Sequence, residues 1–126
     1  MQKGMTLTEL VIALAVAAIL AAMAWPVYQR QVHRTHRAEA IEALLREAGR
    51  QERMYFSTNA FSPRTDFETD SGRYRIHADV GVNGRQYRLK AIPQGAQVKD
   101  PCGILEVNHI GDRGSGGDVQ TCWHGR

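Results

Sequence analysis

Cysteine is scarce in this sequence, net charge is small, and the short motifs that carry chemistry are missing. Only two cysteines occur in 126 residues, Cys102 and Cys122, and no Cys-x-x-Cys spacing links them. His124 beside Cys122 is too little for a zinc site, which needs several ligands at regular spacing. The five histidines, His33, His36, His77, His109 and His124, are scattered, and no carboxylate ligand motif accompanies His33 and His36. There is no nucleophile elbow, phosphate loop or carboxylate dyad. The glycine-rich stretch from Gly111 to Gly117 follows a strand pattern without opening a helix, which argues against a phosphate cradle. No metal, cofactor, catalytic residue or small-molecule substrate is therefore expected, and the chain reads as a non-enzyme. Sixteen basic against thirteen acidic side chains leave a formal charge of +3, a solubility feature and a weak footprint for nucleic acid.

Charge is also absent from the whole run Leu10 to Trp25, and a single carboxylate, Glu9, stands at its head. From Met5 to Trp25 there are about twenty residues, enough to cross a bilayer as a helix. An ionisable group at the end of such a segment points to a functional role with a partner. Thr6-Leu7-Thr8-Glu9 is also a capping box, in which Glu9 reaches back to the Thr6 amide and needs no partner protein. The two roles are compatible.

Lys3-Gly4-Met5-Thr6-Leu7-Thr8-Glu9 followed by the apolar run resembles the class III signal of type IV prepilins and pseudopilins. The resemblance implies that residues 1–4 are a leader cut after Gly4, that Met5 becomes an N-methylated N-terminus, and that Glu9 guides assembly by pairing with the Met5 amine of a neighbour. Pro26, Tyr28 and Arg30 are also similar to the family's helix. Met5 stands where the family usually has phenylalanine, and Thr8 where it usually has an aliphatic residue. The implied partners are other pilin subunits in a helical fibre and the prepilin peptidase and methylase. The implied location is the bacterial inner membrane, crossed once by 5–25 with the head 26–126 in the periplasm, and afterwards the extracellular fibre. A different processing route stays open: Ala22-Met23-Ala24 fits ordinary signal-peptidase cleavage, giving a secreted soluble domain that begins at Trp25. The lone lysine before the run and the acidic Glu9 speak against it. With an export-type start, Cys102 and Cys122 read as one disulfide formed in an oxidising compartment.

Beyond Pro26, which should loosen the helix locally, apolar residues recur at Val32, Ala38, Ile41, Leu45, Ala48 and Tyr55. Arg30, Arg34, Arg37, Glu39, Glu42, Arg46, Glu47 and Arg50 then form the expected solvent face, with i,i+4 pairs of opposite charge. The cluster Arg30, His33, Arg34, His36, Arg37 is read as part of that solvated face; lipid headgroups or nucleic acid are the alternative. Its position outside the cytoplasm runs against the positive-inside bias. Ser57 to Ser71 is a polar loop, with Phe61 and Phe67 as expected anchors on the helix. Alternation predicts a strand over 73–80 with Tyr74, Ile76, Ala78 and Val80 inward, and one over 86–92 with Tyr87, Leu89 and Ala91 inward. Asn83-Gly84 between them favours a tight hairpin. A third strand is expected over 103–110 with Leu105 and Val107 inward, and the glycine-rich tail is expected to be irregular.

The fold class is α+β: a long N-terminal helix, apolar in its first half and amphipathic in its second, packed on a small antiparallel sheet of three or four strands. This too resembles the pilin head, and Asp100-Pro-Cys-Gly-Ile-Leu with Gly111-Asp-Arg-Gly and Cys122-Trp123 is similar to the C-terminal region of PilE-type minor pilins. The implied function is a structural subunit of a type IV pilus, a minor pilin, supporting biogenesis, adhesion or twitching motility. Two alternatives remain. One is a pseudopilin of a type II secretion system. The other is a DNA-uptake pilin with a basic head, for which Arg73, Arg75, Arg85, Arg88, Lys90 and Lys99 are available.

Overall fold

A computed structural model of the chain describes residues 4–125. Met1, Gln2 and Lys3 of the expected leader lie outside the described residues. Helix α1 runs Leu7–Thr58, followed by strands β1 (Asp66–Glu68), β2 (Tyr74–Val80), β3 (Tyr87–Pro93), β4 (Leu105–Asn108) and β5 (Arg113–Gly114), and a short helix α2 (Val119–His124). A 3-10 turn, Gly95–Lys99, lies between β3 and β4. The chain divides into two units, Met1–Val32 and His33–Arg126.

The described part of the first unit is almost wholly helix. It continues through Pro26, although proline offers no amide proton to the carbonyl four residues back. Leu10, Ile12, Leu14, Ile19, Leu20 and Met23 are all exposed, and the mean hydropathy of an 18-residue window reaches 2.5. A helix that is apolar on every face needs a membrane or other helices around it.

The second unit carries the core. Its sheet is an antiparallel meander in the order β1-β2-β3-β4-β5. Alternation places Tyr74, Ile76 and Ala78 of β2, Tyr87, Leu89 and Ala91 of β3, and Leu105 and Val107 of β4 on one face, all buried. Ala40, Ala43 and Leu44 of α1 are buried with them in a single cluster.

The expected helix stripe holds in part: Ile41, Ala48 and Tyr55 pack against the core, but Ala38 and Leu45 are exposed. Leu45, expected inward, is 45% exposed, whereas Leu44 is fully buried. The buried line is Arg37, Ala40, Leu44, Glu47 and Gln51, spaced three and four apart as a core-facing stripe should be. Arg37 and Glu47, expected on the solvent face, are therefore inside. Small alanines in this line admit the sheet, and the long polar groups find partners described below.

The sheet has five strands, two more than the clear alternation showed. β1 lies in the expected polar loop, and its three residues are all exposed; pairing with β2, in the register Phe67 opposite Ile76, makes it a strand without a hydrophobic pattern. Phe67 is 42% exposed and borders a cleft that Glu39, Glu42, Ala43 and Arg46 of α1 also line, while Phe61 is buried as expected. β5, in the glycine-rich tail, pairs Arg113 with Val107 and Gly114 with Glu106. The β2–β3 connection is a six-residue loop, longer than Asn83-Gly84 suggested. It closes through Gly81 N–H to Gln86 O (2.9 Å) and Gly84 N–H to Gly81 O (2.8 Å). Gly84 has φ +64°, and a Cβ there would meet the Ala60 methyl at 3.1 Å, so glycine is required both for conformation and for space.

Candidate functional site

In the N-terminal unit the functional candidates sit at the start of α1. Gly4 and Met5 are exposed and precede the helix, and Thr6 caps it. The Thr6 amide and hydroxyl both donate to Glu9 Oε2 at 2.8 Å, and Glu9 N–H donates to the Thr6 hydroxyl at 3.3 Å. This is the reciprocal capping box. It engages one carboxylate oxygen; among the described residues Glu9 Oε1 has no partner. The same side chain can thus cap its own helix and accept from an ammonium group outside it.

In the head, two buried polar clusters tie loops to α1. Arg37 grips Asp100 through both carboxylate oxygens, Nε to Oδ2 at 3.0 Å and Nη2 to Oδ1 at 3.2 Å. Asp100 also accepts from Gln97 Nε2 at 3.0 Å and from the Cys102 amide at 3.2 Å. Gln97 donates to the His33 carbonyl and the Tyr74 hydroxyl, and burial pushes that hydroxyl up to about 12. The basic cluster expected around residues 30–37 is therefore split, since Arg37 is spent on a carboxylate inside the head. The second cluster centres on Glu47, which receives Arg50 at 2.5 and 2.8 Å and the Thr65 hydroxyl. Burial alone would raise the Glu47 carboxyl, but the bonds from Arg50 and Thr65 outweigh it and hold the group below the usual carboxylate range. Gln51 completes the cluster by donating to Ser62 O and accepting from Ser62 N–H, both at 2.8 Å. No buried side-chain polar atom among the described residues lacks a partner. These residues were missed from the sequence, although their spacing of three and four was visible in it.

Cys102 and Cys122 form the disulfide, with Cα atoms 5.7 Å apart. Asp118 caps α2 by accepting from the Thr121 amide at 2.7 Å. The glycines of the tail are explained by crowding at this bridge: a Cβ on Gly117 would lie 3.2 Å from Pro101 O and 3.3 Å from Cys122 Sγ. Trp123 is buried, donates from Nε1 to Gly114 O at 3.0 Å, and lies under the Arg113 guanidinium.

The outer face of the sheet carries many of the basic residues, yet it is nearly charge-matched. Arg75 pairs with Asp66 at 2.6 Å, Lys90 with Asp79 at 2.6 Å and Arg88 with Glu106 at 3.7 Å. Each joins neighbouring strands diagonally, the sheet counterpart of helix i,i+4 pairing. Arg64, Arg73, Arg85 and Lys99 form no ion pair among the described residues. Of the six cations considered from the sequence, three are thus neutralised and three are free.

A helix whose second half packs on an antiparallel meander, closed by a C-terminal disulfide, defines the type IV pilin fold. A solved type IV pilin from Shewanella oneidensis has a TM-score of 0.60 and 27% identity to this chain, covering 72% of it and 97% of the Shewanella chain. Residues 1–25 match the prokaryotic N-terminal methylation motif. Residues 26–106 match the family described as type IV minor pilin ComP, DNA uptake sequence receptor, and the chain belongs to that family. It is a minor pilin, a subunit that assembles with other pilins, and its apolar N-terminal helix is long enough to anchor it in a membrane beforehand. The type II secretion alternative gives way to this assignment. No curated protein sequence matches the chain.

Proposed function

We propose that this minor pilin presents a DNA-binding head on the pilus. The match of residues 26–106 to a family of DNA uptake sequence receptors carries the reading. The charge distribution refines it. Cations already matched on the sheet face have little to offer a phosphate, so we assign the backbone contacts to unpaired cations outside the strands, Arg64, Arg73, Arg85 and Lys99. Phosphate neutralisation releases counterions, and log K falls with log salt by about 0.9 per contact. The test is duplex DNA titrated against the full chain in detergent micelles at several salt concentrations. The wild type should bind with a steep salt slope, and Arg85→Gln should make the slope shallower by about one contact. Failure of the wild type to retain duplex at low salt would overturn the reading.

The route to the pilus is proposed with it. Cleavage after Gly4 releases the leader 1–4, Met5 becomes the methylated N-terminus, and 5–25 holds the chain in the inner membrane with 26–126 in the periplasm until assembly. In the apolar fibre core the open Oε1 of Glu9 accepts from the Met5 amine of a neighbour. The methylation motif supports this route over cleavage after Ala24.

A further inference from the structure

Three loops of the head converge on one aromatic hub. Phe61 stacks on Tyr55 with ring centroids 4.6 Å apart and meets Tyr87 edge-on at 4.7 Å. His109 closes the group at 6.5 Å from Phe61 and 6.3 Å from Tyr87. Backbone bonds hold the loops there: Phe61 N–H donates to Gly84 O at 2.8 Å, and His109 N–H to Tyr87 O at 3.1 Å. The end of α1, the β2–β3 loop and the turn after β4 are therefore fixed to one another.

Each of these segments exposes one large apolar side chain. Phe56 on the last turns of α1 is 89% exposed, Val82 is fully exposed, and Ile110 is 71% exposed. Single exposed apolar residues are ordinary. Here Phe56 and Ile110 directly follow the hub residues Tyr55 and His109, and Val82 lies two residues before Gly84, which holds Phe61, a placement that suits one partner surface. Tyr55, one residue before Phe56, turns into the hub, which leaves Phe56 pointing roughly 100° around the helix from it. Arg85 lies on the same loop as Val82, and Arg64 follows Phe61 by three residues; neither has an ion pair among the described residues. Glu52 accepts from the Tyr87 hydroxyl at 3.3 Å and Asp112 from the Asn108 side-chain amide at 3.2 Å, and both keep their negative charge. Apolar side chains flanked by free arginines suit duplex DNA. The arginines hold phosphates while the apolar groups press on or between base steps.

We propose that Phe56, Val82 and Ile110 form the base-contacting wedge of the head, with Arg85 and Arg64 on the flanking phosphates. The inference rests on the DNA-binding reading above and adds to it which residues meet the bases. A rigid hub suits this role, because a wedge that yields cannot unstack a base step.

The probe is sheared chromosomal DNA from the source cell, presented to the full chain in detergent micelles. Recovered fragments are sequenced, and a duplex of the most enriched one is labelled with 2-aminopurine. Wild type should bind this duplex and raise the 2-aminopurine fluorescence as a base step opens. Phe56→Ala with Val82→Ser should weaken binding of the enriched duplex about tenfold or more, abolish the fluorescence rise, and leave the salt slope unchanged. Phe56→Leu, which keeps apolar volume, should retain most of the affinity. Since all three side chains are exposed, the variants should melt as wild type does. Wild-type binding that survives the double substitution, with the fluorescence rise intact, overturns the wedge and leaves the DNA reading standing. Absence of wild-type binding to any fragment overturns both, and the wild-type arm alone reveals it.

Discussion

Replacing Arg37 by methionine keeps most of the aliphatic stem and removes the guanidinium, leaving the Asp100 carboxylate buried without its counter-ion. The Asp100 side chain is fully buried and that of Arg37 only 10% exposed, so solvent cannot screen the loss. Breaking a buried pair from one side costs about 3–5 kcal/mol. Gln97 and the Cys102 amide still donate to Asp100, which places the expected cost at the lower end, about 3 kcal/mol. For a head of this size that corresponds to a fall in Tm of about 12–24 °C. Arg37→Met combined with Asp100→Asn removes both charges and should recover more than half of the loss, a coupling of at least about 1.5 kcal/mol. The assay is thermal melting of the full chain in detergent micelles, followed by near-ultraviolet circular dichroism. A single variant that melts within about 2 °C of wild type, or a double variant that simply adds the two losses, would refute the pairing argument.

Helix register is tested by a neighbouring pair of substitutions: Leu44→Ala should cost about 2–5 kcal/mol, whereas Leu45→Ala should stay within about 0.5 kcal/mol, and the reverse order would return the stripe to its expected position. The carboxyls of Glu39, Glu47, Asp66 and Asp79 are held below their usual range by hydrogen bonds and cationic neighbours that outweigh burial, and that of Asp118 by hydrogen bonds from Thr121. Their folded pKa values lie below the unfolded ones, so the stability they supply is present above about pH 4.3 and is lost as pH falls through the folded values; a Tm unchanged from about pH 6 to about pH 3 would contradict this. Glu9→Gln should leave the capping box and the amount in membranes nearly unchanged, since glutamine also reaches the Thr6 amide, while depleting the subunit from sheared fibres. Equal fibre content for the variant would leave Glu9 as a helix cap only.

Long periodic features were legible in the sequence. The apolar run announced a continuous helix, and the alternation of Tyr74, Ile76 and Ala78, that of Tyr87, Leu89 and Ala91, and the pair Leu105 and Val107 announced their burial. β1 and β5 were hidden because backbone pairing, not side-chain pattern, makes Asp66–Glu68 and Arg113–Gly114 strands. The helix stripe went astray for a specific reason. Arg37, Glu47 and Gln51 occupy buried positions, so counting apolar residues drew in the exposed Ala38 and Leu45 and passed over these three. Partners supplied from distant loops, Asp100 for Arg37 and Thr65 for Glu47, are what allow those groups inside, and the local sequence does not name them. The free cations of the head were equally hidden, because neutralisation of Arg75, Arg88 and Lys90 depends on strand register. The aromatic hub was only partly visible: Phe61 was expected on the helix, but its contacts with Tyr87 and His109 join residues far apart in the chain.

The claim that this chain is a processed subunit of a pilus is tested most directly by intact-mass measurement of the chain recovered from sheared fibres of its source cell. The account predicts a chain that lacks Met1 to Gly4, begins at Met5 and carries one added methyl group on the new N-terminus. A chain that begins at Trp25, or fibres from which the chain is absent while it accumulates in the surrounding medium, would contradict it.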